Sequence, residues 1–200
     1  MSLVTVSAAV EGIVDEAVVR RIAACVGARV TTVYGKNGKA SLREKIEGYN
    51  NAARYSPWLV LVDLDQDADC APPLRNAWLP EPAPYMCFRV AVREVEAWLM
   101  ADAVSLARYL GVDRGKIPAH PEAVSHPKLE MVNLARASRK PAIRHDMVPR
   151  PDSRRSVGPA YSSRLVEYVQ RYWRPRVAAQ RADSLRRAIE CLRRLVEGQR

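Results

Sequence analysis

The sequence predicts an α/β protein. Residues 1–110 are expected to form a mainly parallel sheet of about four strands flanked by helices, and residues 111–200 a helical, arginine-rich extension packing on it. Three observations carry this prediction. Strand-like apolar runs alternate with segments of helical period, the order expected of a parallel sheet with crossover helices. One run, Leu59-Val60-Leu61-Val62, is wholly apolar, as suits a strand buried on both faces. The charge is also segregated: residues 139–200 carry 16 Lys/Arg and 6 Asp/Glu, and residues 1–138 carry 16 of each, so the net +10 belongs to the last third.

Taken in order, Leu3 to Val10 reads as the first strand. Glu11-Gly12 follows, and Gly12 permits a tight strand-to-helix turn. Asp15 and Glu16 open a helix with Val18, Val19, Ile22, Ala23 and Val26 on one face, and Gly27 stops it. Acids in a first turn complement the helix dipole, which accounts for Asp15 and Glu16 but not for Glu11 at the strand end. Ala28 to Tyr34 is the second strand. The loop Gly35-Lys36-Asn37-Gly38-Lys39-Ala40-Ser41 fails the Walker pattern, because Ala40 follows Lys39. It reads as a mobile basic loop whose Lys36 and Lys39 would touch a phosphate backbone. Ser41 with Glu44 forms a capping box, expected to start a helix that runs to about Tyr55. After the third strand, residues 66–84 contain Pro72, Pro73, Pro80, Pro82 and Pro84 and are expected to form an irregular connection without a long regular element. Tyr85 to Val92 is the fourth strand. It delivers Arg93, Glu94 and Glu96 to an apolar helix through Trp98, Leu99 and Met100.

Asp102 to Leu110 reads as a short helix ended by Gly111, residues 111–127 as a loop, and Lys128 to Ser138 as helical. Residues 139–159 combine low hydrophobicity with prolines and arginines, and are expected to be flexible or ordered by a partner. Arg144, Arg150, Arg154 and Arg155 there, with Arg93 upstream, are candidate nucleic-acid contacts. Tyr161, Leu165, Tyr168, Val169 and Tyr172 share one helical face. The last helix, Ser184 to Val196, sets an apolar stripe against Arg186, Arg187, Arg193 and Arg194.

Composition narrows the function classes. No apolar run approaches the ~20 residues of a membrane span. The N-terminus shows no basic leader, apolar stretch and cleavage site, so no signal peptide is expected. Cys25, Cys70, Cys87 and Cys191 are scattered without a CxxC pair, which fits reduced thiols in the cytoplasm better than a disulfide framework or a zinc site. A basic segment beside acidic strand ends suits a protein acting on nucleic acid, although arginine-rich helix faces also serve plain solvation.

The strand ends hold the candidate chemistry: Glu11 after the first, Asp63 and Asp65 after the third, Glu94 and Glu96 after the fourth. In a parallel sheet these ends share one rim. Asp63 and Asp65 would point the same way in an extended segment. Neighbouring carboxylates raise each other's pKa unless a cation lies between them, and oxygen-rich sites suit Mg²⁺ or Mn²⁺. A metal held there activates water and stabilises the charge of a phosphoryl transition state. An isolated D-x-D also fits a solvated acidic loop; the acids at the other strand ends favour the metal.

The pattern Val10-Glu11-Gly12-Ile13-Val14-Asp15-Glu16, then a strand ending in Asp63-Leu64-Asp65, resembles the Toprim domain of topoisomerases, bacterial primases and OLD-type nucleases. The segment Arg93 to Asp102, with Gly158 to Val169 and Trp173 to Leu185, resembles an uncharacterised prokaryotic Toprim-like family. The resemblance implies a Rossmann-like Toprim sheet and residue roles. Glu11 would be a metal ligand or general acid/base, Asp63 and Asp65 would hold Mg²⁺, and Asp15 matches a metal-binding acid of OLD-type nucleases. Glu94 and Glu96 would complete a second site, and Lys128 would stand near the scissile phosphate. No topoisomerase tyrosine motif, primase zinc module or ATPase domain is recognisable. The expectation is a metal-dependent nuclease, on DNA rather than RNA, acting in defence against phage or plasmids. The alternatives are a non-catalytic nucleic-acid-binding or regulatory subunit beside a separate ATPase, and another phosphotransfer or phosphohydrolase enzyme. The sequence leaves homo-oligomerisation open.

Overall fold

The computed structural model describes residues 3–199. Strands β1 (Val4–Val10), β2 (Ala28–Gly35), β3 (Trp58–Asp63) and β4 (Met86–Ala91) form an all-parallel sheet in the order β2-β1-β3-β4. Each lies close to its expected run. Parallel neighbours need crossover connections. Helix α1 (Ile13–Cys25) joins β1 to β2 on one face. Helices α2 (Gly38–Glu44) and α3 (Ile46–Ala52) return to β3 over the other face, where α4 (Ala71–Trp78) then joins β3 to β4. Right-handed connections demand this change of face when the winding changes direction. The change falls between β1 and β3, so their carboxyl ends open a crevice that neither connection covers.

Side chains alternate along each strand and so divide the core in two. On the first face, Val6, Ala8, Val10, Leu59, Leu61 and Cys87 meet Val18, Val19 and Ile22 of α1. On the second, Ala9, Val60, Val62, Phe88 and Val90 meet Leu42, Ile46, Tyr49 and Leu74. The first-face cluster continues into α5 (Val95–Ala101), α6 (Ala103–Leu110), α7 (Pro127–Arg136), α8 (Pro141–Met147), α9 (Tyr161–Arg171), α10 (Pro175–Ala178) and α11 (Asp183–Glu197). The helices that follow residue 110 therefore share the core of the sheet. Trp98, Tyr168 and Trp173 are fully buried in it. Asp102, also fully buried, accepts from the backbone N–H of Arg174 at 3.1 Å and from its guanidinium at 2.9 and 2.6 Å. These donors replace the water that the carboxylate has lost. No helix of the described residues is long and apolar enough to cross a membrane.

Three local expectations are corrected. The helix expected from Ser41 to Tyr55 is two helices. The first begins at Gly38, the chain breaks at Lys45, and no side-chain cap is made. Lys39 pairs with acids beyond β3 and anchors the chain before Ser41. Residues 66–84 contain α4, because Pro72 and Pro73 fall in its first turn, where backbone N–H groups have no intrahelical acceptor. The stretch 139–159 contains α8, ordered by Ile143 and Met147, one turn apart and buried in the first-face core.

Candidate functional site

The switch point between β1 and β3 brings four of the sequence-predicted acids together. Glu11 leaves β1 and turns back across the rim, where its Oε1 accepts from the backbone N–H of Asp63 at 2.8 Å. Asp63, the last residue of β3, accepts from the N–H of Val95 at 3.0 Å through Oδ1 and so caps the start of α5. Asp15 lies in the first turn of α1 and Glu96 in the first turn of α5, only 8 % and 3 % exposed. Two helix N-termini thus face the acids and offset part of their charge. Gly12 has an extended backbone, so its role is not a special turn. A Cβ there would stand 3.1 Å from Asp15 Oδ2, and glycine is what lets that carboxylate fold under the turn.

Crowding and enclosure raise the pKa of all four. Burial pushes Asp15 up to about 7, with Glu96 and Glu11 adding repulsion. Asp63 is held well above the usual carboxylate range, first by burial and then by Asp15, Glu96, Glu11 and Asp65. Burial raises Glu11 despite the N–H of Asp63 and the charge of Lys39. Burial also raises Glu96, against the nearby Lys128 ammonium and a hydrogen bond from the Tyr161 hydroxyl at 3.1 Å.

The remaining predicted residues are placed differently. Asp65 does not extend β3. It adopts φ +51, in the left-handed region, and pairs with Lys39 at 2.8 Å. The extended-segment argument for parallel Asp63 and Asp65 side chains therefore fails, although Asp65 still acts electrostatically on Asp63 and Glu11. Glu94 accepts from the backbone N–H of Lys128 at 2.6 Å and so holds the N-terminus of α7. Burial alone would lower the pKa of Lys128, but Glu96, Glu94, Asp63 and Asp65 raise it, which keeps a full positive charge at the rim. Lys39, expected in a mobile loop, also donates to Asp67 at 2.7 Å and to the carbonyl of Leu64 at 3.3 Å. Arg93 at φ +63 donates to the carbonyls of Asp65 and Ala68 and shapes the acidic loop. Lys36 pairs with Glu16 at 3.0 Å, and Arg144 donates to the carbonyl of Ser138. Arg150, Arg154 and Arg155 are exposed without an ion-pair partner among the described residues. Sequence reasoning missed Tyr161 beside Glu96. Its only signal was membership of an apolar helix face, which does not reveal where its hydroxyl ends.

Among the described residues no group of three His, Cys, Asp or Glu side chains is arranged to hold a metal ion as it stands. The chemistry of the donor set nonetheless fits Mg²⁺ or Mn²⁺: every candidate ligand is a carboxylate oxygen. Among the described residues, Glu11, Asp63 and Glu96 are each hydrogen-bonded through only one of their two oxygens. Neither protein-family models, nor curated proteins, nor solved structures yield a match to this chain.

Proposed function

We propose that Glu11, Asp15, Asp63 and Glu96 hold a divalent cation, Mg²⁺ or Mn²⁺, and that the protein is a Toprim-type nuclease hydrolysing phosphodiester bonds in DNA, with RNA the less favoured substrate. The observation that supports this reading is four mutually repelling, largely enclosed carboxylates at the switch point of a parallel sheet, where such folds place their ligands. A cation bound there would lower the pKa of a water and offset charge on the phosphate oxygens. The chain's own residues do the rest. Glu11 holds the backbone of Asp63 through Oε1, which leaves its other oxygen for the cation. Lys128, charged and at the rim, attracts the substrate phosphate. Lys39 balances Asp65 and Asp67 and keeps the acidic loop from splaying outward by self-repulsion.

Cleavage of single- and double-stranded DNA, supercoiled plasmid and tRNA with Mg²⁺, with Mn²⁺ and with EDTA tests the proposal. Wild-type protein should cleave only with metal, and Asp63→Asn should lower the rate by at least about a hundredfold. Equal trace cleavage by both proteins in every condition would remove the nuclease reading. A non-catalytic nucleic-acid-binding subunit, working with a separate ATPase, would take its place.

A further inference from the structure

We propose that the cavity along the outer edge of β4 binds a phosphate ester, at a site separate from the carboxylate rim. Among the described residues, β4 has a strand neighbour only on the β3 side. Its other edge runs between α4 and α11, and the three elements line most of an open cavity of about 620 Å³. Five arginines line it: Arg75 from α4, Arg89 from β4, and Arg186, Arg187 and Arg194 from α11. Arg186 and Arg187 are balanced along their own helix by Asp183 and Glu190. The third acid on the wall, Glu122, is occupied by the backbone N–H groups of Asp183 and Ser184 at 2.8 and 3.0 Å.

Arg75, Arg89 and Arg194 have no ion-pair partner among the described residues. The Nε of Arg89 is buried without a hydrogen-bond acceptor among the described residues. A buried N–H costs free energy unless an acceptor replaces water. Together with two further unpaired guanidinium forks, it forms the donor set that a doubly charged oxyanion satisfies in bidentate fashion. The pKa of the neighbouring Cys191 thiol is lowered to about 7, first by a hydrogen bond with Cys87 and only then by Arg89, Arg194 and Arg75. Acidic side chains on one side of an extended peptide are spaced by roughly 6.6 Å, too far apart to answer charges focused on one spot. A phosphate concentrates its charge. Phe88, Val90, Val92 and Pro72 give the cavity an apolar wall, and its volume suits a ligand of mononucleotide size. The ester is therefore a free nucleotide or the phosphorylated end of a strand. This inference does not rest on the nuclease reading.

Isothermal titration of the full chain, in buffer without divalent metal, tests it. The probes are inorganic pyrophosphate, adenosine monophosphate, and a short single-stranded DNA with or without a 5′-phosphate. One saturable site is expected, weakened about tenfold or more by Arg75→Gln and by Arg194→Gln. Both residues are exposed, so circular dichroism should show an unchanged fold, which Arg89→Gln does not guarantee. Arg29→Gln, on the opposite edge strand, removes the same charge and should change affinity by less than about twofold. Tighter binding of adenosine monophosphate than of 5′-phosphorylated DNA assigns a free nucleotide, and the reverse assigns a strand end. The proposal is overturned if no probe binds, or if Arg29→Gln weakens binding as much as the cavity variants. A glutamate hexapeptide that binds the cavity more tightly than every phosphate probe would also overturn it.

Discussion

The backbone amide of Asp63 donates to Oε1 of Glu11 at 2.8 Å, joining the carboxyl ends of β1 and β3 across 52 residues of sequence. This bond brings one carboxylate against another. The fold holds that repulsion in place, and most of the expected behaviour of the metal-free protein follows from it.

Asp63→Asn should raise the melting temperature of metal-free protein at pH 8. The amide keeps an oxygen to accept from Val95 while the crowding of Asp15, Glu96 and Glu11 is relieved. Thermal melts in EDTA, followed by circular dichroism, measure this. A lower midpoint than wild type would mean that the carboxylate is a net stabiliser and the repulsion argument is wrong.

Stability should also fall with rising pH. The folded pKa of Asp15 is about 7, against an ordinary value of 3.8. Between these values the folded state binds the extra proton, so unfolding releases it and stability declines as pH increases. The share of Asp15 in the penalty is absent below about pH 4, grows toward pH 7 and is constant above it, reaching on the order of 4 kcal/mol. Asp15→Asn should make the profile shallower in that window, and the remaining slope belongs to Glu11, Asp63 and Glu96. Mn²⁺, if bound by these acids, should flatten it for wild type, because the metal replaces the proton. Melting temperatures at half-unit pH intervals in EDTA and in Mn²⁺ give both comparisons.

Gly35→Ala should be among the costliest single substitutions outside the site. Gly35 has φ +84, and a Cβ there would lie 2.2 Å from the carbonyl oxygen of Val10 on the adjacent strand. Backbone strain and that clash together imply a loss of about 2–4 kcal/mol. Urea denaturation should show a lower midpoint with an unchanged slope. Wild-type stability would show that β2 can shift away from β1 at little cost.

Removal of the C-terminal third would not test its part in nucleic-acid binding, because Leu165, Trp173 and Leu185 belong to the core. Substitution is the usable route. Arg150, Arg154 and Arg155 are exposed and unpaired among the described residues, so replacing all three with Gln should reduce duplex-DNA affinity. It should also make the log–log salt slope shallower by up to about 3, at roughly 0.9 for each phosphate no longer neutralised. Fluorescence anisotropy between low and physiological salt reads the slope. An unchanged slope would place the phosphate-binding residues elsewhere.

The central strand β3 was legible in sequence because burial on both faces leaves a wholly apolar signature, Leu59 to Val62, whereas the half-exposed edge strand β2 showed itself by its β-branched residues. The acids were legible for a related reason: a strand end in a parallel sheet is a fixed place, and Glu11 and Asp63 each follow such a run directly. The helical turns around Ser41 and Pro72 were not legible. Local capping and proline rules compete there with a distant ion pair and with the tolerance of a first turn, and the sequence does not show which prevails.

Periodicity and chain neighbours were enough to set the four strands, their parallel sense, the helix α1 and the acids at the ends of β1, β3 and β4. Tertiary structure alone decided the rest. It tied Glu94 to the start of α7, gave Lys39 to Asp65 and Asp67, and set the Tyr161 hydroxyl on Glu96. It also turned Arg75, Arg89 and Arg194 toward one cavity from three separate elements. The physical reason is that a charged group finds its partner through space, and no local pattern encodes which residue the fold will bring within hydrogen-bonding distance.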